Sequence, residues 1–313
     1  MRDGEDSEGL ARRVLEAAGL PQPRTLPRAR DGIANHVYLA DDAVVRLGTG
    51  SDAAHYGRSV AVMRAAARAT LAVPEVLFSD LTQTRVPVRV MVLARAAGVP
   101  LRRRWADLNR SQRLSMMHAV AEQAQRLHAI DMSEFEAAAL PSPWHATMMA
   151  ELDGWLSTLP ETGEFPRAHF EVLRRCVEAD RATLDVPRVV VAHNDLHWGN
   201  IIVDGPRLTA LLDFDDTMAG PPELDAWGLL RAAALDDDPW IDPRALTALP
   251  DFELDAPGVL ARARLFEAHG ICEHLSGRLS WTTPAESLAD ALESFDDTFV
   301  ARRTERALDA LYG

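Results

Sequence analysis

The 313-residue sequence predicts an α+β protein with two lobes: a small β-rich N-terminal lobe with one main helix, then a larger, mostly helical lobe. Three observations predict it. Short apolar runs bounded by turn residues, such as Val37-Tyr38-Leu39 and residues 43–47, fill the first third of the chain. Beyond Gly98 the apolar residues recur at helical spacing over long stretches. Among those stretches lies one strand, loop and hairpin unit, residues 189–213, that gathers His, Asp and Asn.

Taken in order, residues 7–18 have helical periodicity that stops at Gly19-Leu20-Pro21. Asp31-Gly32-Ile33-Ala34-Asn35-His36 is a turn-rich loop before the first strand, and Asp41-Asp42 turns the chain into the second, residues 43–47. A helix over residues 53–69 follows, and residues 88–93 read as a buried strand. The lobe boundary is placed at Gly98, giving lobes 1–97 and 98–313. A long amphipathic helix is expected over residues 111–130, capped by Ser111, with Leu114, Met117, Val120 and Leu127 on its apolar stripe. His118 and His128 on it read as surface or capping groups. Helical stretches over residues 143–159, 166–184, 222–235, 256–279 and 284–311 complete the chain, without internal repeat.

The chemistry concentrates in His193-Asn194-Asp195-Leu196-His197-Trp198-Gly199-Asn200 and, one hairpin later, Leu211-Leu212-Asp213-Phe214-Asp215-Asp216. Val189 to Ala192 is short enough for a buried strand and delivers His193 and Asp195 to a polar loop at its end. Ile201-Ile202-Val203 and residues 208–212 form a hairpin turning at Asp204-Gly205, so Asn200 and Asp213 meet at its open end. Two hard oxygen ligands there suit magnesium carried on nucleotide phosphates, an ion that keeps part of its water shell. Asp195 is placed to accept a hydrogen bond from a substrate hydroxyl. Any one of these residues alone is an ordinary turn former; the joint pattern is what points to phosphoryl transfer.

The same segment resembles the catalytic and metal-binding loops of the aminoglycoside phosphotransferase family, protein-kinase-like enzymes that phosphorylate small molecules. Gly220-Pro221-Pro222-Glu223-Leu224-Asp225-Ala226-Trp227 extends the likeness into the opening of the next helix. The resemblance implies Asp195 as catalytic base, Asn200 and Asp213 as Mg2+ ligands, and Asp225 as a structural acid bracing the loop. It also implies ATP, or GTP, as phosphate donor, with the loop at Asn35 over the phosphates, Arg46 on them, and the backbone of the connector Leu93 to Ala96, Arg95 included, on the purine edge. One departure stands out: such kinases pair the strand base with a glutamate on the next helix, yet no glutamate occurs between Glu16 and Glu75. Ser59 takes the expected place in that helix, Asp52 and His55 are the nearest other polar candidates, and without a partner Arg46 would be less firmly oriented.

Composition sets bounds. A net charge of −14 argues against nucleic acid as the main partner and favours cationic substrates. All 33 basic residues are arginine, so any phosphate contact usually given to lysine falls to arginine, whose fork binds in a bidentate manner. No apolar run reaches membrane-spanning length and the first residues are acidic, so a soluble cytoplasmic monomer or homodimer without membrane contact is expected. Two cysteines, Cys176 and Cys272, make a disulfide framework or zinc site improbable and read as buried thiols.

For the acceptor, Trp198 could stack on a sugar or nucleoside or pack under the loop, and Asp216, Glu267 and Glu273 are acidic candidates, beside His269 and Asp236-Asp237-Asp238. The resemblance favours transfer to a hydroxyl of an aminoglycoside, macrolide or nucleoside antibiotic. Two alternatives remain open from sequence: a kinase of a choline-like or sugar metabolite, and a nucleotide-binding regulatory pseudokinase, which the missing helix glutamate would suit.

Overall fold

The computed structural model describes residues 7–29, 36–48, 55–135, 144–159, 167–184, 189–226, 228–229, 261–262, 265–266, 268–269 and 272. The chain divides into two compact units: Met1–Asn109 with Ala129–Leu140 and His197–Thr217, and Arg110–His128 with Pro141–Leu196 and Met218–Gly313.

In the first unit, α1 (Ser7–Ala17) buries Leu10, Ala11, Val14 and Leu15, one stripe at helical spacing. It ends where predicted, with Gly19 at φ 71° and the Leu20 N–H donating to Leu15 O at 2.9 Å. The strands β1 (His36–Leu39), β2 (Ala43–Leu47), β3 (Val76–Asp80) and β4 (Val90–Ala94) form an antiparallel sheet in the order β1-β2-β4-β3. β3 adds a strand beyond those expected from the sequence. Because side chains alternate along a strand, Val45 and Leu47 join Val90, Val92 and the stripe of α1 in one core, while Arg46 turns to the opposite face. There α2 (Tyr56–Arg68) brings Tyr56, whose ring centroid lies 5.3 Å from the Arg46 guanidinium carbon.

A second sheet of this unit joins β5 (Val99–Pro100), β7 (Ile201–Asp204) and β8 (Arg207–Leu211). Gly98 enters it at φ 112°, and a Cβ there would lie 2.1 Å from Val203 O, so only glycine permits this approach. Asp204 pairs with Arg207, which puts the hairpin turn at Gly205-Pro206, one residue beyond the expected Asp204-Gly205.

In the second unit, α3 (Arg110–His128) starts one residue before Ser111, which therefore lies inside the helix instead of capping it. Met117, Val120 and Leu127 are buried as predicted, and so is His128, against expectation. α4 (Trp144–Thr158) and α5 (Arg167–Asp180) follow, the latter running into a 3-10 turn at Arg181–Leu184. β6 (Val190–Ala192) packs against α3 and pairs antiparallel with β9 (Met218–Gly220). Residues 223–226 and 228–229 are helical, as are the described residues between 261 and 272. The helix expected over 284–311 lies outside the described residues. Among the described residues, no helix is long and apolar enough to cross a membrane.

Candidate active site

β6 is buried throughout and ends at Ala192, and from His193 the chain turns sharply to present a polar loop. Asn194 takes φ 64°, a left-handed conformation that asparagine tolerates better than most residues. Asp225 holds the turn. Its Oδ2 accepts the His193 N–H at 3.1 Å and its Oδ1 the Asn194 N–H at 2.8 Å, while His128 Nε2 lies 2.8 Å from Oδ2. His193 Nδ1 in turn accepts the Asp195 N–H at 3.3 Å, so the backbone of half-buried Asp195 is tied through His193 to Asp225. Burial pushes the Asp225 pKa up, but His128, His193 and the Asn194 amide outweigh it and hold the carboxyl below its usual range. His128 is thus an internal partner, not a surface group.

In the first unit, His197 Nδ1 accepts the Gly199 N–H at 3.0 Å, and the Asn200 N–H donates to His197 O at 2.9 Å, which closes the turn leading into β7. The Leu212 N–H then donates to Asn200 O at 2.8 Å, so the open end of the hairpin brings Asn200 beside the segment entering Asp213, as the spacing predicted. Asp213 sits at φ 64°, ψ 68°, before a 3-10 turn at Phe214–Asp216. A non-glycine residue held in this region at the mouth of a polar hairpin is the kind of local strain that clusters at functional sites.

Arg46 reaches this turn from β2. Its Nη2 donates to Asp213 Oδ1 at 3.1 Å and to Asp215 Oδ2 at 2.6 Å, and Arg46 itself is 8% exposed. Burial would lower the Arg46 pKa; Asp213 and Asp215 outweigh it and raise it above the ordinary value, so the guanidinium is charged. The expectation that Arg46 lacks an orienting partner is therefore corrected: it has two. Ser59 Oγ on α2 donates to Asp215 Oδ1 at 2.7 Å, and Arg58 Nη1 donates to Asp215 O at 3.1 Å and Thr217 O at 3.3 Å. The role of Asp215 has one signal in the sequence, the missing helix acid, which required a carboxylate from elsewhere.

Other expected positions fare differently. Trp198 is 4% exposed and stands edge-on to Trp105, centroids 3.9 Å apart, so it packs under the loop and its ring is not open for stacking on a ligand. Leu93 is buried in the central strand β4, paired with Val44 and Val76. The Ala94 and Arg95 N–H groups donate to Glu75 O and Asp42 O, and the Arg95 side chain to Ala40 O. Those two amides are thereby withdrawn from the donors expected for a purine. Asp216 is exposed, and its charge acts on Arg58. His269 Nε2 lies 2.8 Å from Glu151 Oε2 and beside Trp155. Asn35, Glu267, Glu273 and the run Asp236-Asp237-Asp238 lie outside the described residues.

The first unit thus offers carboxylates at a hairpin mouth with a strand arginine upon them, and the second, taken by itself, a loop braced by a buried carboxylate. A model of the phosphotransferase enzyme family matches residues 25–266, and the chain belongs to that family. It is a phosphotransferase, with a protein-kinase-like α+β fold. The chain is similar to the GDP complex of wild-type aminoglycoside 2'-phosphotransferase-IIIa, with a TM-score of 0.70 at 14% identity over 98% of this chain and 99% of that one. A thermostable mutant of aminoglycoside phosphotransferase APH(4)-Ia, in ternary complex with ADP and hygromycin B, gives 0.59 at 19% identity over 96% of each chain. Macrolide 2'-phosphotransferase MphH from Brachybacterium faecium gives 0.60 at 17% over 94% of this chain and 97% of that one. At these identities the likeness shows the fold. Among curated proteins none matches.

Proposed function

We propose that this enzyme transfers the γ-phosphoryl group of ATP or GTP to a hydroxyl of an antibiotic-like small molecule, an aminoglycoside, macrolide or nucleoside antibiotic. The observation that carries it is the Arg46–Asp213 contact, a buried strand base and a hairpin carboxylate brought to 3.1 Å from positions 167 residues apart. That is the pairing of phosphate-binding and metal-binding groups that phosphoryl transfer needs. The similar solved proteins include aminoglycoside and macrolide phosphotransferases, which supports the acceptor class. The charge of −14 favours the cationic members of it.

In this reading residues 1–97 form the nucleotide lobe and residues 98–313 the catalytic lobe of a cytoplasmic enzyme. Asp195 accepts a hydrogen bond from the acceptor hydroxyl and aims its oxygen at the γ-phosphorus. The new O–P bond forms as the bond to the bridging oxygen of the nucleoside diphosphate breaks, and the hydroxyl proton passes to Asp195. Arg46 holds phosphate oxygens through its guanidinium fork. Asn200 and Asp213 fit Mg2+: both offer oxygen, and the Asp213 side chain is 44% exposed, open to an ion that arrives with phosphate oxygens. When bound there, the ion supplies neutralisation of phosphate charge. For the purine edge the backbone near Ala96, just beyond the end of β4, is the segment this reading assigns, and Asp216 stays a candidate for acceptor contact. The pseudokinase alternative rested on an unpartnered Arg46, and the paired Arg46 removes that support.

The test is phosphate transfer from labelled ATP and GTP with magnesium across a panel of hydroxylated antibiotics, choline and sugars. Modification of an antibiotic is the expected result. Modification only of choline or a sugar would move the enzyme to metabolite kinases, and no transfer to any acceptor would defeat the proposal.

A further inference from the structure

Arg46 meets two carboxylates on one nitrogen, and their surroundings differ. The Asp213 side chain is 44% exposed and that of Asp215 16% exposed. Asp215 is also the one fixed from a second direction. Its Oδ2 takes Arg46 at 2.6 Å while its Oδ1 takes the hydroxyl of fully buried Ser59 at 2.7 Å. Arg58, the neighbour of Ser59 on α2, straps the same turn through the carbonyls of Asp215 and Thr217. An exposed carboxylate can turn away to a cation; one anchored on both oxygens stays with its arginine.

We infer that Asp215 is the resident counter-ion that positions Arg46 for nucleotide phosphates, and that Ser59 reaches it from α2 in place of the helix carboxylate this chain lacks. Asp213 is then released for metal without leaving Arg46 unpaired. The geometry explains why a serine suffices on α2: the carboxylate is supplied by the turn after the hairpin, and the helix contributes only the hydroxyl that orients it. Because a guanidinium carries its five N–H donors in a rigid planar fork, fixing Nη2 on Asp215 fixes the direction of the others. The Tyr56 ring centroid lies 5.3 Å from the guanidinium carbon and adds a cation–π contact on the same group. Asp215 and Ser59 act through Arg46 and are positioning residues. The inference rests on the kinase reading, since it needs a nucleotide for Arg46 to hold.

Calorimetric titration of the 313-residue chain with Mg-ATP, and with Mg-GTP in parallel, tests it. Wild type, Asp215→Asn, Ser59→Ala, Arg46→Met and the double variant Arg46→Met/Asp215→Asn are compared, each checked for an unchanged melting transition. Asp215→Asn is expected to weaken nucleotide binding by about 10-fold, the scale of one charge-assisted hydrogen bond, and Ser59→Ala by less. In the Arg46→Met background Asp215→Asn should have no further effect, because its action runs through the missing arginine. A carboxylate returned from the helix side, Ser59→Asp on Asp215→Asn, should recover part of the loss. Unchanged or tighter binding by Asp215→Asn would overturn the inference, since Asp215 would then merely repel phosphate or compete for Arg46. So would an undiminished effect without Arg46, the mark of a structural role. If Asp215→Asn does not fold, Ser59→Ala alone and with Arg46→Met decides by the same pattern. Wild type that binds neither nucleotide would defeat the kinase reading and this inference together, whereas nucleotide binding indifferent to Asp215 would defeat only the inference.

Discussion

Replacing Asp225 measures how much of the loop after β6 rests on one buried carboxylate. It accepts two backbone N–H groups, from His193 and Asn194, and stands 2.8 Å from His128 Nε2, with 1% of its surface exposed. In Asp225→Ala both amides and the imidazole lose their acceptor inside the protein, and breaking such a buried set by removing one partner costs roughly 3–5 kcal/mol. Asp225→Asn keeps one acceptor oxygen and the side-chain shape, so about 2 kcal/mol is expected, near the cost of one stranded polar group. Urea unfolding reads both values, and hydrogen exchange at the His193 and Asn194 amides should quicken in step. The pH dependence follows from the sign of the shift. The folded carboxyl titrates below its unfolded value, so its contribution is complete above the unfolded pKa, about 3.9, and is lost as pH falls through the folded one. The stability gap between wild type and Asp225→Ala should hold at neutral pH and narrow below about pH 4. A loss under about 1 kcal/mol for Asp225→Ala would refute the claim that this carboxylate braces the loop.

Trp198→Ala should cost roughly 3–5 kcal/mol, the usual range for a buried aromatic, while Trp198→Phe keeps most of the stability; a variant as stable as wild type but with a raised acceptor KM would restore the stacking role. Asp80 accepts N–H groups from Thr84, Arg85 and Val86, which outweigh burial and lower its pKa to about 2, so Asp80→Ala should lose about 2–3 kcal/mol at neutral pH. Its depressed pKa means this difference should shrink as pH falls from about 4 towards 2, which acid unfolding of the pair would check.

The hairpin that holds Asn200 and Asp213 was legible because its determinants are local: an apolar run, a glycine turn and an apolar return fix which residues meet at its mouth. The α1 end at Gly19 was legible for the same reason. His128 was not, because its burial depends on Asp225, which lies 97 residues away, and helical spacing alone does not distinguish a buried from an exposed histidine. Trp198 was left balanced between ligand and core because its covering partner, Trp105, comes from a distant turn. β3 escaped notice because its residues alternate weakly, with only Asp80 fully covered. Asp215 is the instructive miss: the sequence announced a missing acid on α2, but only the approach of α2 to the Phe214–Asp216 turn shows what replaces it.

The central claim is that Asp195 serves phosphoryl transfer to a hydroxyl, and single-turnover kinetics with the best acceptor of the panel tests it most directly. Asp195→Asn should bind Mg-nucleotide as wild type does yet transfer phosphate slower by about 10²-fold or more, the scale of a lost general base. Transfer within about threefold of wild type, with nucleotide binding intact, would contradict the account.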